Sequence, residues 1–321
     1  MPDGTFSFVI GNGAVTGRQL VKHPGIKAIG FTGSYTAGMS IFKAATNERE
    51  VPVPVYAEMS SINPVLILPQ KLQNDYNGVA TMLAGSVTLG VGQFCTNPGI
   101  LFLLEDEAST QFIAKLGELL ANVPAGSMLN PSVCNNYYKS RQNLAGQQAV
   151  TKIYFGEDAG EAYKGSPALL QVSDTDFLSN PALQHEVFGP ASLVVLCKTR
   201  DSMLAALRCL QGQLTGSIIA EYADVEIFRD CITALSSKVG RVIYNGAPTG
   251  VEVCHAMVHG GPFPATTDAR TTSVGTEAIK RFVRPVCLQD CPHDFLPAAL
   301  KNDNPLGLMR KVNGTYTKES I

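Results

Sequence analysis

The sequence predicts an α/β protein built on doubly wound, mostly parallel sheets. Short apolar runs alternate with segments of helical periodicity along most of the 321 residues, and strand–helix–strand alternation implies parallel pairing. Hydrophobic residues make up 45% of the chain, which is enough to bury a sizeable core. The alternation falls into two groups, residues 6–57 and residues 64–244. We therefore expect two α/β units.

The first group contains three predicted strands and two helices. The strands are expected at residues 6–10, 26–31 and 51–57, and the helices at 14–22 and 36–45. Pro52 and Pro54 favour an edge position for the third strand, because proline donates no hydrogen bond to a neighbouring strand. The group has fewer strand–helix units than a complete dinucleotide-binding domain. The sheet therefore looks as though it starts in its middle.

The second group is longer and strongly apolar. Helices are expected from about residue 74 to 89, through residues 112–120, and from 224 to 235. Strands are expected at 64–68, 99–104, 151–155, 168–172, 192–196, 217–220 and 241–244. The chain after about residue 265 is rich in proline and polar residues. This pattern predicts a second α/β unit followed by an irregular tail.

Composition and charge exclude several classes of partner. Lys and Arg total 25 against 27 Asp and Glu, so the net charge is −2. Nucleic acid is not expected as a partner, because phosphate binding needs clustered basic residues. Neither a membrane-spanning run nor a signal peptide is visible, which predicts a cytoplasmic protein without a membrane partner. The eight scattered cysteines do not form a small disulfide scaffold.

Two clusters of cysteine and histidine raise the question of a metal site. Cys254, His255 and His259 form the first, but the Gly-Gly-Pro that follows would break any helix aligning the two histidines. The second, residues 287–293, contains two cysteines and a histidine with no further pair nearby, which matches no complete zinc site. We expect unligated residues in both clusters, and therefore no metal.

Two glycine-rich turns carry candidate functional residues. Residues 30–34, Gly-Phe-Thr-Gly-Ser, lie between a strand and a helix, where backbone N–H groups and the helix dipole favour an anion. Residues 90–99 place Cys95 among Gly, Gln, Thr and Asn just after a helix. A cysteine with such neighbours is accessible to a substrate, as a nucleophile must be. The alternative is a buried structural cysteine.

Two glutamates complete the set of candidates. Glu58 closes an apolar strand, and ligands of α/β proteins bind at the carboxyl ends of strands. Partial burial there would raise its pKa and suit it to general-base catalysis. Glu186, followed by Val-Phe-Gly-Pro, has a similar context. The alternative for Glu58 is a solvated glutamate at the end of a strand.

Taken in order, these motifs resemble those of the aldehyde dehydrogenase superfamily. Residues 30–34 resemble its G-F-T-G-S cofactor turn, and residues 58–64 its E-L-G-G-K-N-P motif, with serines replacing both glycines and Ile62 the lysine. Residues 92–95 match G-Q-x-C, and residues 186–190 resemble E-I-F-G-P. Residues 93–99, 259–266 and 281–286 are most similar to 2,5-dioxovalerate (α-ketoglutarate semialdehyde) dehydrogenases.

The resemblance implies the following fold and domain organisation. We expect an aldehyde dehydrogenase-like fold, in which an incomplete Rossmann-type cofactor domain precedes an α/β catalytic domain. Residues 1–58 would be the remnant of the NAD(P)-binding domain and residues 59–265 the thiol-bearing catalytic domain. Residues 266–321 would form a C-terminal segment with an oligomerisation strand and a tail. A homo-oligomer is expected.

The resemblance also implies a reaction and residue roles. Cys95 would attack an aldehyde, a hydride would pass to NADP or NAD, and Glu58 would activate the water that hydrolyses the thioester. Gly33, Ser34, Glu186 and Phe188 would bind the cofactor. The implied substrate is a small aldehyde, an oxo-acid semialdehyde such as 2,5-dioxopentanoate. The sequence does not decide between NAD and NADP.

In one respect the sequence departs from the family. The oxyanion-hole Asn, the Lys at the adenosine ribose and any Arg for a substrate carboxylate belong to a part of the family's chain that precedes residue 2 here. The sequence therefore looks like the C-terminal part of a family member, and we expect it to be a poor dehydrogenase alone. A folded, non-catalytic remnant is the alternative. A cysteine hydrolase or acyltransferase is a third, but local motifs place no histidine beside Cys95.

Overall fold

The computed structural model describes residues 2–158 and 163–321. The chain forms two compact units, residues 1–281 and residues 282–321. The domain boundaries predicted after residues 58 and 265 remain predictions, and residues 1 and 159–162 of those ranges lie outside the described part.

The first unit begins with a small parallel sheet and two helices. Its elements are α1 (Gly13–Lys22), β1 (Ile29–Thr32), α2 (Tyr35–Asn47) and β2 (Val55–Glu58). Strand β1 pairs in parallel with β2, and apolar side chains of both strands pack on the helices. Asn12 caps α1 and Ser34 caps α2, each accepting backbone N–H groups of the first turn. Both helices and two of the three strands predicted for this group are confirmed, with strands shorter than expected.

The strand predicted at residues 6–10 is wrong. These residues form no strand, and the side chains of Phe6, Phe8 and Ile10 are 81%, 77% and 86% exposed. A β-strand needs a hydrogen-bonded neighbour. Strand β1 pairs with β2 and residues 6–10 pair with neither of them. An apolar run in the sequence does not show whether a neighbouring strand is available to pair with it.

A seven-stranded sheet dominates the rest of the unit. Its strands are β3 (Val65–Ile67), β4 (Ile100–Leu104), β6 (Thr151–Phe155), β8 (Ala168–Ser173), β9 (Ala191–Cys197), β10 (Gln213–Ile219) and β11 (Val239–Tyr244). A short antiparallel pair, β5 (Gly126–Ser127) and β7 (Lys164–Gly165), lies outside it. The order in the large sheet is β11-β10-β3-β4-β9-β8-β6. All neighbours are parallel except β6, which runs antiparallel to β8. The predicted parallel α/β sheet is confirmed.

Helices cover both faces of this sheet. They are α3 (Pro69–Thr88), α4 (Glu107–Ala121), α5 (Pro131–Ala145), α6 (Asp174–Ser179), α7 (Arg200–Cys209), α8 (Tyr222–Ile227) and α9 (Arg229–Ser236). One apolar cluster joins α3 and α4 to one face of β3 and β4. A second joins α6, α7 and α9 to the opposite face. Strands buried on both faces read as continuous apolar runs, which is why they were recognisable in the sequence.

Three helical predictions differ from the structure. Helix α3 begins at Pro69 rather than near residue 74, since proline fits the first turn of a helix. Asp75 has φ −155° and ψ 56°, and its carboxylate accepts the N–H of Gly78. Asn74 and Asp75, whose side chains are typical of helix caps and so suggested a helix start there, therefore mark a kink inside α3 instead. The helix expected at 224–235 is divided into α8 and α9 at Phe228, and α5, α6 and α7 were not predicted.

The second unit, residues 282–321, contains short 3₁₀ turns and one hairpin of β12 (Arg310–Val312) and β13 (Thr315–Thr317). Residues 283–288, part of the expected oligomerisation strand, form no strand within this chain, and their pairing with another subunit stays a prediction. Among the described residues, no helix is long and apolar enough to cross a membrane.

Candidate functional site

Glu58 is the last residue of β2 and is 4% exposed. Its backbone forms an antiparallel bridge with Thr266. On either side, the N–H of Met59 donates to Ala265 (2.7 Å) and that of Thr267 to Ala57 (3.0 Å). A segment more than 200 residues later in the sequence therefore runs beside β2. The carboxylate is buried between the two, and the solvated alternative for Glu58 is wrong.

The loop that carries Cys95 has an unusual backbone. Gly90, Val91 and Gly92 all adopt left-handed conformations, with φ of 54°, 58° and 64°. For the β-branched Val91 this conformation is strained. At Gly92, a Cβ atom would lie 2.3 Å from the carbonyl carbon of Gly189, so only glycine fits. The loop thus turns tightly out of α3 against residues 189–190 and leaves Cys95 half-buried.

The side chain of Asn63 forms hydrogen bonds with the backbone of the Cys95 loop. Its side chain is fully buried, and its Nδ2 donates to the backbone carbonyls of Cys95 and Asn97, both at 2.9 Å. Its Oδ1 accepts from the hydroxyls of Ser61 (2.8 Å) and Thr215 (3.0 Å). A fully satisfied buried amide rigidifies its surroundings. Asn63 therefore connects the Cys95 loop to β10, a role that sequence analysis did not assign.

The structure brings Cys95 and Glu58 together on one histidine that sequence analysis had left without a role. The Nε2 atom of His259 lies 3.5 Å from Cys95 Sγ and 3.1 Å from Glu58 Oε1. The other carboxylate oxygen, Oε2, accepts the hydroxyl of Ser273 at 3.0 Å. The side chains of His259 and Glu58 are each only 5% exposed. The Cys95 thiol, the His259 imidazole and the Glu58 carboxylate therefore form one compact cluster.

The charges in this cluster stabilise one another. Burial of Glu58 raises its pKa, but hydrogen bonds from His259 and Ser273 outweigh burial, and the pKa ends below its usual value. Burial lowers the pKa of His259, but contacts with Cys95 and Glu58 outweigh that effect and raise the pKa to about 9. Both pKa shifts favour an ionised Glu58 carboxylate beside a protonated His259 ring.

The position of His259 depends on the two glycines that follow it. A Cβ atom on Gly261 would lie 2.2 Å from the backbone oxygen of Gln213. The extended segment therefore lies directly on the backbone of β10, and its continuation reaches β2. The prediction that residues 254–259 form no helix is confirmed. The available signal was the Gly-Gly-Pro run directly after His259, within the stretch 259–266 that we had used only as a subfamily motif.

Donor atoms of metal-binding type also meet here. The ligand atoms of Glu58, Cys95 and His259 lie within 4.8 Å of one another. Hydrogen bonding among the three groups accounts for their approach, and the expectation of no metal remains a prediction. Cys287, Cys291 and His293, the other cluster, belong to the second unit.

The predicted cofactor-binding residues meet at Ser60. Gly33 and Ser34 immediately precede α2, whose Tyr35 N–H donates to Ser60 Oγ at 3.4 Å. The Glu186 carboxyl lies beside the same residue, since the Ser60 hydroxyl and the Ser61 N–H both act to lower its pKa. The turn and the acidic motif, Ser34 and Glu186 being 152 positions apart in the sequence, thus both lie next to Ser60. A helix N-terminus next to a carboxyl fits the phosphate and ribose of a dinucleotide.

Glu186 differs electrostatically from Glu58. Burial is the largest influence and raises the pKa of Glu186 to about 7, although the bonds from Ser60 and Ser61 act against it. Phe188, two residues on, is 39% exposed. Asn97 donates to Gly189 O at 3.1 Å, which ties this motif to the Cys95 loop. Ser60 therefore lies between the Gly33–Ser34 turn and Glu186, and Asn97 connects the motif of Glu186 and Phe188 to the Cys95 loop.

Comparison with known proteins agrees with this geometry. Residues 1–283 match the aldehyde dehydrogenase family. The chain is 46% identical over 314 residues to alpha-ketoglutaric semialdehyde dehydrogenase 2 of Azospirillum brasilense, covering 98% of this chain and 60% of that protein. It is 43% identical over 319 residues to the alpha-ketoglutaric semialdehyde dehydrogenase of Acinetobacter baylyi, covering 99% and 60%. The chain thus spans about 60% of the length of these relatives.

Solved structures share the fold at low sequence identity. Proline utilization A of Bradyrhizobium japonicum superposes with a TM-score of 0.73 at 21% identity, over 88% of this chain and 28% of that one. Glyceraldehyde-3-phosphate dehydrogenase of Methanocaldococcus jannaschii, solved with NADP, has a TM-score of 0.65 at 18% identity, over 80% and 53%. Site geometry, family match and fold agree: the chain belongs to the aldehyde dehydrogenase family.

Proposed function

We propose that this chain carries the thiol and base of an NAD(P)-dependent aldehyde dehydrogenase that oxidises a small oxo-acid semialdehyde such as 2,5-dioxopentanoate. The observation that carries the proposal is the approach of Cys95 and Glu58 to the same nitrogen of His259, at 3.5 and 3.1 Å. Two relatives named as alpha-ketoglutaric semialdehyde dehydrogenases, 46% and 43% identical, support the substrate class.

The reaction divides into two halves that these residues serve. The Cys95 sulfur attacks the aldehyde carbon and forms a thiohemiacetal. NAD(P)⁺, when bound, supplies the hydride acceptor that converts the thiohemiacetal into a thioester. Glu58 then takes a proton from water, the water oxygen adds to the thioester carbon, and the carboxylic acid and the Cys95 thiol leave. The backbone N–H of Cys95 is a candidate donor to the developing oxyanion.

Cofactor binding would use the residues joined by Ser60. Gly33 and Ser34 start α2, so a phosphate there would meet backbone N–H groups and the positive end of the helix dipole. Glu186 would accept hydrogen bonds from ribose hydroxyls, and the half-exposed ring of Phe188 would lie against the cofactor. The choice between NAD and NADP and the domain assignment of residues 1–58 and 59–265 are parts of the same proposal.

A cofactor-independent thioester hydrolase is the second candidate, since the structure supplies the histidine that sequence analysis missed. One feature argues against it. In a nucleophile–His–acid triad the two partners use different ring nitrogens, whereas here both contact Nε2 and Nδ1 is buried without a hydrogen-bond partner among the described residues. We therefore favour the dehydrogenase.

Mass spectrometry of the intact protein tests the proposal without relying on turnover. Incubation with 2,5-dioxopentanoate and NADP⁺ or NAD⁺ should add an acyl group to Cys95, located by peptide mapping. Glu58→Gln should accumulate this adduct, because its formation needs the thiol and its hydrolysis needs the base. Cys95→Ser is the matched control and should stay unmodified. Acylation of another cysteine, or none in any variant with either cofactor, would contradict the proposal and favour the non-catalytic remnant.

A further inference from the structure

His259 is buried beside two groups that both attract its proton. Its Nε2 faces the sulfur of Cys95 and a carboxylate oxygen of Glu58. An ionised carboxylate can only accept a hydrogen bond. The 3.1 Å contact with Glu58 therefore requires a hydrogen on Nε2. With that hydrogen in place, the nitrogen has no lone pair for the proton of a Cys95 thiol, and the sulfur is best satisfied as a second acceptor.

We propose that His259 is a third catalytic residue, a buried imidazolium that holds the proton of the Cys95 thiol and presents Nε2–H between the sulfur and the Glu58 carboxylate. The step is a proton transfer from the neutral state in which the ring carries its hydrogen on Nδ1: the S–H bond breaks, an N–H bond forms at Nε2, which faces the sulfur at 3.5 Å, and the electron pair stays on sulfur for attack. The inference rests on the proposed role of Cys95 as the nucleophile.

The charges around the ring fit this assignment. Glu58 and Cys95 are the groups that raise the pKa of His259. Two cations also lie in the surroundings: Arg241 interacts electrostatically with Cys95, and Arg281 with Glu58. The argininium groups favour the anionic forms of sulfur and carboxylate. In the proposed state two anions therefore face one protonated ring, and Arg241 and Arg281 add positive charge near Cys95 and Glu58.

The arrangement has a consequence for the second half of the reaction. Once Cys95 is acylated, its sulfur carries no charge, and Nε2–H is left to Glu58 alone. The same ring that keeps the sulfur reactive then orients the carboxylate, while Ser273 holds its other oxygen. His259 thus acts on nucleophile and base in turn.

Alkylation of Cys95 by iodoacetamide tests the proposal on the whole chain, without cofactor or aldehyde. An ordinary thiol is only about a few per cent ionised at pH 7, and a stabilised thiolate loses part of that advantage because it is a weaker nucleophile. We expect His259→Gln to slow labelling of the Cys95 peptide at pH 7 by about five- to tenfold. His255→Gln, which changes an exposed histidine four residues away, should leave the rate unchanged, and labelling of the exposed Cys254 serves as an internal reference.

Equal rates for wild type and His259→Gln would overturn the proposal. If the variant fails to fold, Cys95→Ser carries the test through NMR of the His259 ring: removing the sulfur anion should move the deprotonation of this ring to lower pH, and an unchanged titration would overturn the proposal. Failure of the dehydrogenase proposal looks different. In that case Cys95 would still alkylate fast in a His259-dependent way, but would form no acyl adduct.

Discussion

Glu58 is the first residue of the stretch 58–61, and Glu186 lies beside Ser60 and Ser61 of the same stretch. The pKa values of the two carboxyl groups are nevertheless shifted in opposite directions. Glu58 contacts an imidazole and a hydroxyl, and its pKa lies below the usual value. Glu186 contacts the hydroxyl of Ser60 and the N–H of Ser61, and its pKa is raised to about 7. Burial acts in the same direction on both. The difference is the ring of His259.

This contrast teaches how one site can hold carboxyl groups for two tasks. A group that can carry a positive charge keeps Glu58 ionised despite burial, whereas neutral donors cannot do so for Glu186. In the proposed reaction the ionised group takes a proton from water, and the group that titrates near neutrality borders the cofactor. The partner of each carboxyl therefore decides its protonation.

The largest expected effect comes from removing the partnered carboxylate. Glu58→Ala leaves the buried His259 without its carboxylate, and breaking one side of a buried ion pair destabilises a protein by about 3–5 kcal/mol. We expect the free energy of unfolding at pH 7 to fall by roughly 3 kcal/mol, since Cys95 still contacts the ring. Urea denaturation followed by circular dichroism measures it.

Glu186→Gln is the matched control and should cost less than about 1 kcal/mol, because a neutral amide can replace a carboxyl that carries no ion pair. Adding His259→Gln to Glu58→Ala should recover part of the loss. Equal destabilisation by the two single variants would remove the contrast between the sites.

The second effect is on the pH dependence of stability, where the two glutamates should act in opposite directions. The folded-state pKa of Glu186 lies above its ordinary value of 4.5, so its contribution is complete below about pH 4.5 and is lost as the pH rises through 7. The contribution of Glu58, whose pKa is lowered, is present above 4.5 and is lost on acidification.

From pH 5 to pH 8, Glu186→Gln should therefore lose less stability than wild type, by about 1 kcal/mol after allowance for partial solvent screening. Thermal denaturation at intervals of half a pH unit gives the two curves. His259 contributes in a later window, since its stabilisation is complete below 6.5 and is lost as the pH rises through about 9. Parallel curves for wild type and Glu186→Gln between pH 5 and 8 would contradict the assignment of a raised pKa.

The smallest effect is expected from Ser60→Ala. The serine hydroxyl lowers the pKa of Glu186 against the effect of burial, so its removal should move the titration of Glu186 upward by a fraction of a pH unit. Loss of one hydrogen bond should cost about 1 kcal/mol. The measurement is the midpoint of the pH-dependent difference between Ser60→Ala and the double variant Ser60→Ala/Glu186→Gln. A downward shift would mean that Ser60 does not donate to Glu186.

The two groups of predicted strands, at residues 6–57 and 64–244, differed in how well sequence reasoning located them. Strands of the large sheet, such as Ile100–Leu104, are buried on both faces, so apolar runs located them. Residues 6–10 are also mostly apolar, yet they form no strand, because strand formation depends on a neighbour that no local pattern encodes. Helix α3 was found but placed five residues late, since the cap at Asp75 marks a kink.

Within the site, local motifs placed Cys95 and Glu58 but not the groups that connect them. His259 reaches Glu58 across 201 positions of sequence, and Asn63 reaches the carbonyl of Cys95 across 32. Both contacts arise from strand order and from the close approach of Gly261 to β10. A motif records which side chains the chemistry requires, whereas the contacts between motifs depend on the tertiary path of the chain.

The left-handed Val91 places the Cys95 loop in contact with two glycines that are distant from it in the sequence. A Cβ added at Gly126 would lie 2.6 Å from a Val91 methyl group, and one added at Gly165 would lie 2.8 Å from Met128 Sδ and 3.2 Å from the other Val91 methyl group. These two glycines face each other in the β5–β7 pair. Any side chain introduced at either glycine would press on Val91 four positions before Cys95. A mutation in the β5–β7 strand pair, which contributes no group to the site, is therefore expected to change the environment of Cys95.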